Sequence, residues 1–168
     1  GFIRVQSAEG QGTTVSIFLP VARLERTWRP PAPRDSAPSG TETLLVVDDD
    51  SQVRRAMVAV LEGHGYRALQ AATAEDALSI VCGAHPAIDA AVIDVVMPST
   101  GGAELARKLR AVRPLPVLFT SGHTEERLAR TGLRRQDGPL LRKAFTPAEL
   151  LRRVRELLDE RAGVTPVP

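Results

Sequence analysis

Cysteine is nearly missing from this sequence: Cys82 stands alone among 168 residues. An internal disulfide is therefore excluded. Its place on an apolar-looking helical stretch predicts a small core residue. A reducing compartment fits a lone cysteine without being demanded by it. Aromatic residues are also scarce, at 4%, although the apolar share of 43% is that of an ordinary globular chain. No run of 18 apolar residues exists, so no membrane-spanning helix is expected, and no signal-peptide pattern is visible. Charge of one sign is lacking too. Basic and acidic residues number 22 and 20, for a net +2, and they are interleaved. That balance leaves no footprint for nucleic acid. The chain opens on Gly1 rather than methionine, which suggests a piece of something longer. Its length allows one ordinary domain plus extras.

What is present centres on Leu44-Leu45-Val46-Val47-Asp48-Asp49-Asp50. Four apolar residues without alternation read as a strand buried on both faces. Ser51 then opens a helical pattern with Val53, Met57, Val60 and Leu61 on one face. The acids thus fall at the carboxyl end of a central parallel strand, where open α/β sheets carry their sites. Adjacent carboxylates repel and are tolerated in water or around a hard cation. A plain helix cap followed by a solvated charge run explains them equally well. Three further strand ends alter that balance. Ala90-Ala91-Val92-Ile93 ends in Asp94, Pro116-Val117-Leu118-Phe119 in Thr120-Ser121-Gly122, and Pro139-Leu140-Leu141-Arg142 in Lys143. Acids, an acid, a hydroxyl and an amine recur in order. Those are the groups that hold a metal and a phosphoryl group.

Along the chain, Phe2, Ile3 and Val5, then Val15, Ile17 and Leu19, alternate around Glu9-Gly10-Gln11-Gly12 and read as a β-hairpin. A lone hairpin is marginal in water, so it belongs to a larger sheet. Residues 20–41 carry Pro20, Pro30, Pro31, Pro33 and Pro38 among arginines and read as a linker, with Trp28 its one aromatic. Residues 1–41 are therefore expected to add little stability. From Thr41 βα units begin. The first helix ends at Gly63-His64-Gly65, and Tyr66 to Ala71 is the next strand. Thr73 caps a second helix through Ala77, Leu78, Val81 and Cys82, stopped by Gly83. Leu105, Leu109 and Val112 mark a third, and residues 123–133 a weak fourth. The last helix is signposted by Thr146 at the N-cap, Pro147 at N1 and Glu149 completing a capping box. Leu150, Leu151, Val154, Leu157 and Leu158 form its buried face, with its arginines solvated. His64, His85 and His123 read as loop residues rather than as a metal site.

On Val46-Val47-Asp48-Asp49, Asp94 with Met97-Pro98 and Gly101-Gly102, Thr120-Ser121-Gly122 and Lys143, residues 42–160 resemble the receiver domain of two-component response regulators. The resemblance implies an α/β receiver (flavodoxin-like) fold: a five-stranded parallel sheet, order 2-1-3-4-5, with helices on both faces. It implies Asp94 as phosphoacceptor, with Thr120 and Lys143 on the phosphoryl oxygens. It further implies Mg²⁺ held by Asp48, Asp49, Asp94 and the backbone carbonyl of Val96. Asp50 reads as a helix-start acid. Gly1 to Pro20 are similar to the last strands of the ATP-binding domain of sensor histidine kinases. The asparagine-bearing helix and first glycine boxes of that domain are absent. The parent is then a hybrid histidine kinase, in which 1–20 is a hairpin fragment, 21–41 a linker, 42–161 the receiver and 162–168 a tail. The implied partners are a histidine kinase core and a histidine phosphotransfer protein, with no nucleic acid and no membrane contact. The implied address is cytoplasmic, with any membrane anchor upstream.

Two positions depart from the family. The residue after the lysine is usually a proline behind a cis bond and here is Ala144; a cis bond before a non-proline residue costs about 2.5–4 kcal/mol. The family's switch aromatic, three residues before the lysine, is replaced by Leu140, while Phe145 reads as a core anchor. These departures leave room for a pseudo-receiver that binds partners without phosphorylation. A metal-dependent phosphatase with an aspartyl nucleophile would need an acid where Val96 stands.

Overall fold

The computed structural model describes residues 1–20, 37–83, 87–122 and 131–163. The segment around Trp28, His85, His123 and most of the expected fourth helix lie outside them. Two compact units result, Gly1–Arg34 and Asp35–Pro168. In the first, β1 (Phe2–Ala8) and β2 (Gly12–Phe18) pair antiparallel through a three-residue turn, with Ala8 opposite Gly12. Phe2 and Phe18 stack at 4.4 Å, and Ser7 and Thr13 share a hydrogen bond of 2.8 Å. Phe2, Ile3, Val5, Val15, Ile17 and Leu19 nevertheless remain exposed. A two-stranded ribbon offers them nothing to pack against.

In the second unit, β3 (Thr43–Val47), β4 (Arg67–Ala71), β5 (Ala90–Asp94), β6 (Val117–Ser121) and β7 (Leu140–Arg142) form one parallel sheet, ordered β4-β3-β5-β6-β7. Without the hairpin strands this is the expected order 2-1-3-4-5. Four helices cover it among the described residues: α1 (Ser51–Glu62), α2 (Ala74–Cys82), α3 (Gly102–Val112) and α4 (Pro147–Ala162). Successive residues of a strand point to opposite faces. Leu45, Val47, Ala91, Ile93, Val117 and Phe119 pack with α2 and α3, while Leu44, Val46, Ala90, Val92 and Leu118 pack with α1 and α4. Both faces of β3, β5 and β6 are covered, so these three strands show no polar alternation, whereas the edge strands β4 and β7 are partly exposed.

The helix ends follow local chemistry. Asp50, Thr73 and Thr146 cap α1, α2 and α4 through their side chains, and Glu149 returns the capping-box bond to the Thr146 amide. The α4 leucines and Val154 are buried as the pattern requires.

Some expectations fail. Cys82 is exposed: it is the last residue of α2, and the core-facing position of that turn is taken by the buried Val81. Val112, the last residue of α3, is likewise more than half exposed. Arg155 is not simply solvated: it bonds Glu42 at 2.7 Å and Asp159 at 2.9 Å. The segment before β3 is also packed. Ala37 lies against the α1/α4 core, and the Gly40 amide donates to His64 O at 3.1 Å. A Cβ on Gly40 would run into the Tyr66 ring and the Glu42 carboxylate, so only glycine fits there. Among the described residues, the chain that packs on this unit therefore begins at Ala37 rather than Thr41.

Candidate functional site

The parallel register brings the strand ends together. Val47 is opposite Ile93, and Asp94 is opposite Thr120, so Asp48, Asp94 and Thr120 end three neighbouring strands. The edge strand follows, with the Lys143 amide donating to Ser121 O at 2.8 Å. The α3 N-terminus closes in from the side: Gly102 N donates to Val95 O at 2.9 Å. A Cβ on Gly102 would strike the Asp94 carbonyl, so this approach requires glycine.

The three acids of the run take separate tasks. Asp48 is 0% exposed, with its Oδ1 accepting from Asp50 N at 2.9 Å and its Oδ2 from Lys143 Nζ at 2.7 Å. Asp50 Oδ1 accepts from the amides of Gln52 and Val53. Those amides hold the Asp50 carboxyl below the ordinary aspartate range. Asp50 is thus the helix-start acid. Asp49 is exposed and faces the same cavity as Asp48.

Lys143 joins two strand ends. Its ammonium lies 2.7 Å from Asp48 and 2.9 Å from Asp94 Oδ1, and its side chain is 23% exposed. Burial acts to lower its pKa, but the bonds to Asp48 and Asp94 outweigh burial and hold it above the ordinary lysine value. Burial pushes the Asp94 carboxyl above its ordinary value, with Lys143 pulling the other way and Asp48 adding to the rise. The second Asp94 oxygen accepts from Val96 N at 3.2 Å. Thr120 is fully buried, and its hydroxyl has no hydrogen-bond partner. The Lys143–Ala144 peptide is cis although Ala144 is not proline.

Asp48, Asp49, Asp50, Asp94, Val96, Met97, Pro98, Gly122 and Lys143 line one cavity of about 510 Å³. Thr120 lies behind it, adjacent to Asp94. Among the described residues no three Asp, Glu, His or Cys side chains are drawn into a ready cation cage. The Lys143 ammonium stands between two of the carboxylates instead. The donor set is nevertheless all oxygen, which suits a hard cation that keeps several waters and needs only one or two carboxylates. The residue that sequence reasoning passed over is Arg54, whose guanidinium donates to the backbone carbonyl of Asp48. Only its place one turn into the helix after the acids could have signalled it.

A family model described as the response regulator receiver domain matches residues 44–155. The chain is 35% identical to the sensor kinase CckA of Brucella abortus, over 95% of its own length but 18% of that protein. It is 30% identical to the phosphate regulon transcriptional regulatory protein PhoB of Pseudomonas aeruginosa, over 70% of this chain and 52% of PhoB. It therefore spans under a fifth of the first relative and about half of the second. Among solved structures it resembles the receiver domain from hybrid histidine kinase CckA (31% identity, TM-score 0.59, 69% of this chain, 98% of that one). It also resembles a CheY-like receiver domain protein from Methanospirillum hungatei (26% identity, TM-score 0.64, 75% of this chain, 100% of that one).

Proposed function

The chain belongs to the response regulator receiver domain family, and from that premise we propose that Asp94 accepts a phosphoryl group from a phosphohistidine. The observation that carries the reading is the Lys143 ammonium spanning Asp48 and Asp94 at 2.7 and 2.9 Å in a cavity open to solvent. An Asp94 oxygen attacks phosphorus as the bond to the histidine nitrogen breaks, and the imidazole leaves with the electron pair and takes up a proton. Two anions must meet, so positioning and charge neutralisation are most of what the protein supplies. Lys143 supplies a point charge. The Thr120 hydroxyl is a donor with no partner of its own, which suits a phosphoryl oxygen arriving beside Asp94. Asp48, Asp49, Asp94 and the Val96 carbonyl are the groups that would hold Mg²⁺. That ion would supply neutralisation of the phosphoryl oxygens.

We infer further that the parent is a hybrid sensor histidine kinase. An alignment over 95% of the chain cannot stop at residue 44 and so runs into the hairpin. Residues 1–20 would then close a kinase ATP-binding sheet, 21–41 link it, 42–161 form the receiver and 162–168 a tail. The phosphodonor or acceptor would be the histidine kinase core, a histidine phosphotransfer protein, or both. No helix among the described residues is long and apolar enough to cross a membrane. A cytoplasmic setting suits a phosphohistidine donor.

The test is incubation with acetyl phosphate and Mg²⁺, read by intact mass. Addition of one phosphoryl group to the wild type, and none to Asp94→Asn, is expected. A wild type that gains nothing would favour the pseudo-receiver suggested by Ala144 and Leu140.

A further inference from the structure

Asp49 differs from its neighbours in how it is aimed. Asp48 is held by Lys143 and the Asp50 amide, and Asp50 is held by the first amides of α1. The Asp49 carboxylate faces the cavity with no hydrogen bond or ion pair among the described residues. What is fixed is the direction of its Cα–Cβ bond, which the backbone sets and to which the Asp48–Asp49 peptide belongs. The carbonyl of that peptide accepts a hydrogen bond from Arg54 Nη1. Arg54 is half-buried in the first turn of α1, where the helix dipole disfavours a cation. A basic residue in that turn is accounted for by what it holds: the Asp48 carbonyl, beside three acids.

We infer that Arg54 is a positioning residue, which orients the Asp49 carboxylate by fixing the Asp48 carbonyl and so tunes affinity for a divalent cation. The inference rests on the receiver reading of the site. Two roles for Arg54 predict opposite signs. As a bare charge it repels a second cation, so its removal should tighten binding. As an orienting group it lowers the cost of assembling the oxygen ligands, so its removal should weaken binding.

The experiment is calorimetric titration of the full chain with Mg²⁺ alone, without phosphodonor. Wild type, Arg54→Met, Asp49→Asn and the double variant are compared, with thermal melts confirming that each is folded. Arg54→Met is expected to weaken Mg²⁺ binding about three- to tenfold, the range for one orienting hydrogen bond. In the Asp49→Asn background the same substitution is expected to do nothing further, since the group it acts through is gone. Should Arg54→Met not fold, Arg54→Lys takes its place in the cycle, with a smaller loss expected in the same pattern. Binding that is unchanged or tighter on substituting Arg54, or equal losses in both backgrounds, overturns the positioning role. A wild type that binds no Mg²⁺ and takes no phosphoryl group from acetyl phosphate defeats the receiver reading instead.

Discussion

Asp94 at the end of β5 stands opposite Thr120 on β6, and the Thr120 hydroxyl beside it is fully buried with no hydrogen-bond partner. A buried hydroxyl left unsatisfied costs about 1–3 kcal/mol. Its neighbour is an acid whose protonation burial favours. Both residues are thus held in states that a purely structural core would avoid, which is the pattern of a site kept for chemistry.

Replacing Thr120 by valine removes the unsatisfied group and keeps the shape. We expect Thr120→Val to melt higher, by about 1 kcal/mol or roughly 3 °C, and to accept phosphate more slowly. Differential scanning calorimetry beside the acetyl phosphate assay checks both. A lower melting temperature would show that the hydroxyl finds a partner in solution.

For Asp94→Asn the expected gain depends on pH. The folded pKa of Asp94 lies above the ordinary 3.8, a direction that already includes its bond to Lys143. Its favourable contribution is therefore full below the ordinary value and is lost as pH rises through the folded one. The variant should be at least as stable as wild type at pH 7, with the advantage shrinking toward pH 3. Melts across that range decide it, and a variant less stable at neutral pH contradicts the reading.

Lys143→Met leaves the fully buried Asp48 carboxylate without its cation. The expected loss is about 3 kcal/mol at pH 7, at the low end for a broken buried pair because water reaches the lysine. The folded pKa of Lys143 lies above the ordinary 10.5. Its contribution is present below that value and fades as pH climbs through the folded pKa. The wild type should thus lose stability in strong alkali along a limb that Lys143→Met lacks. Urea titrations at pH 7 and above pH 10 measure both.

A chain beginning at Ala37 should melt with the second unit of the full chain, whereas one beginning at Thr41 should melt several degrees lower. The shorter chain gives up the packing of Ala37 and the Gly40–His64 bond, together about 1–2 kcal/mol. Identical melting of the two would mean that these contacts are not kept in solution.

Val96 lines the cavity two residues past Asp94 and offers no side-chain donor or acceptor to an attacking water. Val96→Asn should speed loss of the phosphoryl group about tenfold, equivalent to about 1.4 kcal/mol of barrier. Release of phosphate from pre-labelled protein is the measurement. Equal rates would show that Val96 is not what slows hydrolysis.

Much of this molecule is legible in its residues because the relevant physics is local. Unbroken apolar runs ending in Asp48, Asp94 and Thr120 define buried parallel strands, a partly buried edge strand leads to Lys143, and chemistry stands at one end of each. Thr146, Pro147 and Glu149 mark the α4 start, because a cap acts within three residues. What the residues alone could not settle depends on partners far along the chain. Cys82 and Val112 sit at apolar helical positions yet are exposed, because each is the last residue of its helix and periodicity cannot see whether a neighbour reaches that end. Arg155 looks like one more solvated arginine until Glu42, 113 residues away, meets it. In the acid run, Asp50 was legible as the helix-start acid because its cap bonds reach only Gln52 and Val53, whereas the difference between Asp48 and Asp49 was decided by tertiary structure. Lys143 reaches Asp48 across 95 residues of sequence, and Arg54 closes on the Asp48 carbonyl from the next helix. Asp48 and Asp49 are identical side chains in a row; the distant lysine that Asp48 meets, and that Asp49 does not, is what separates them.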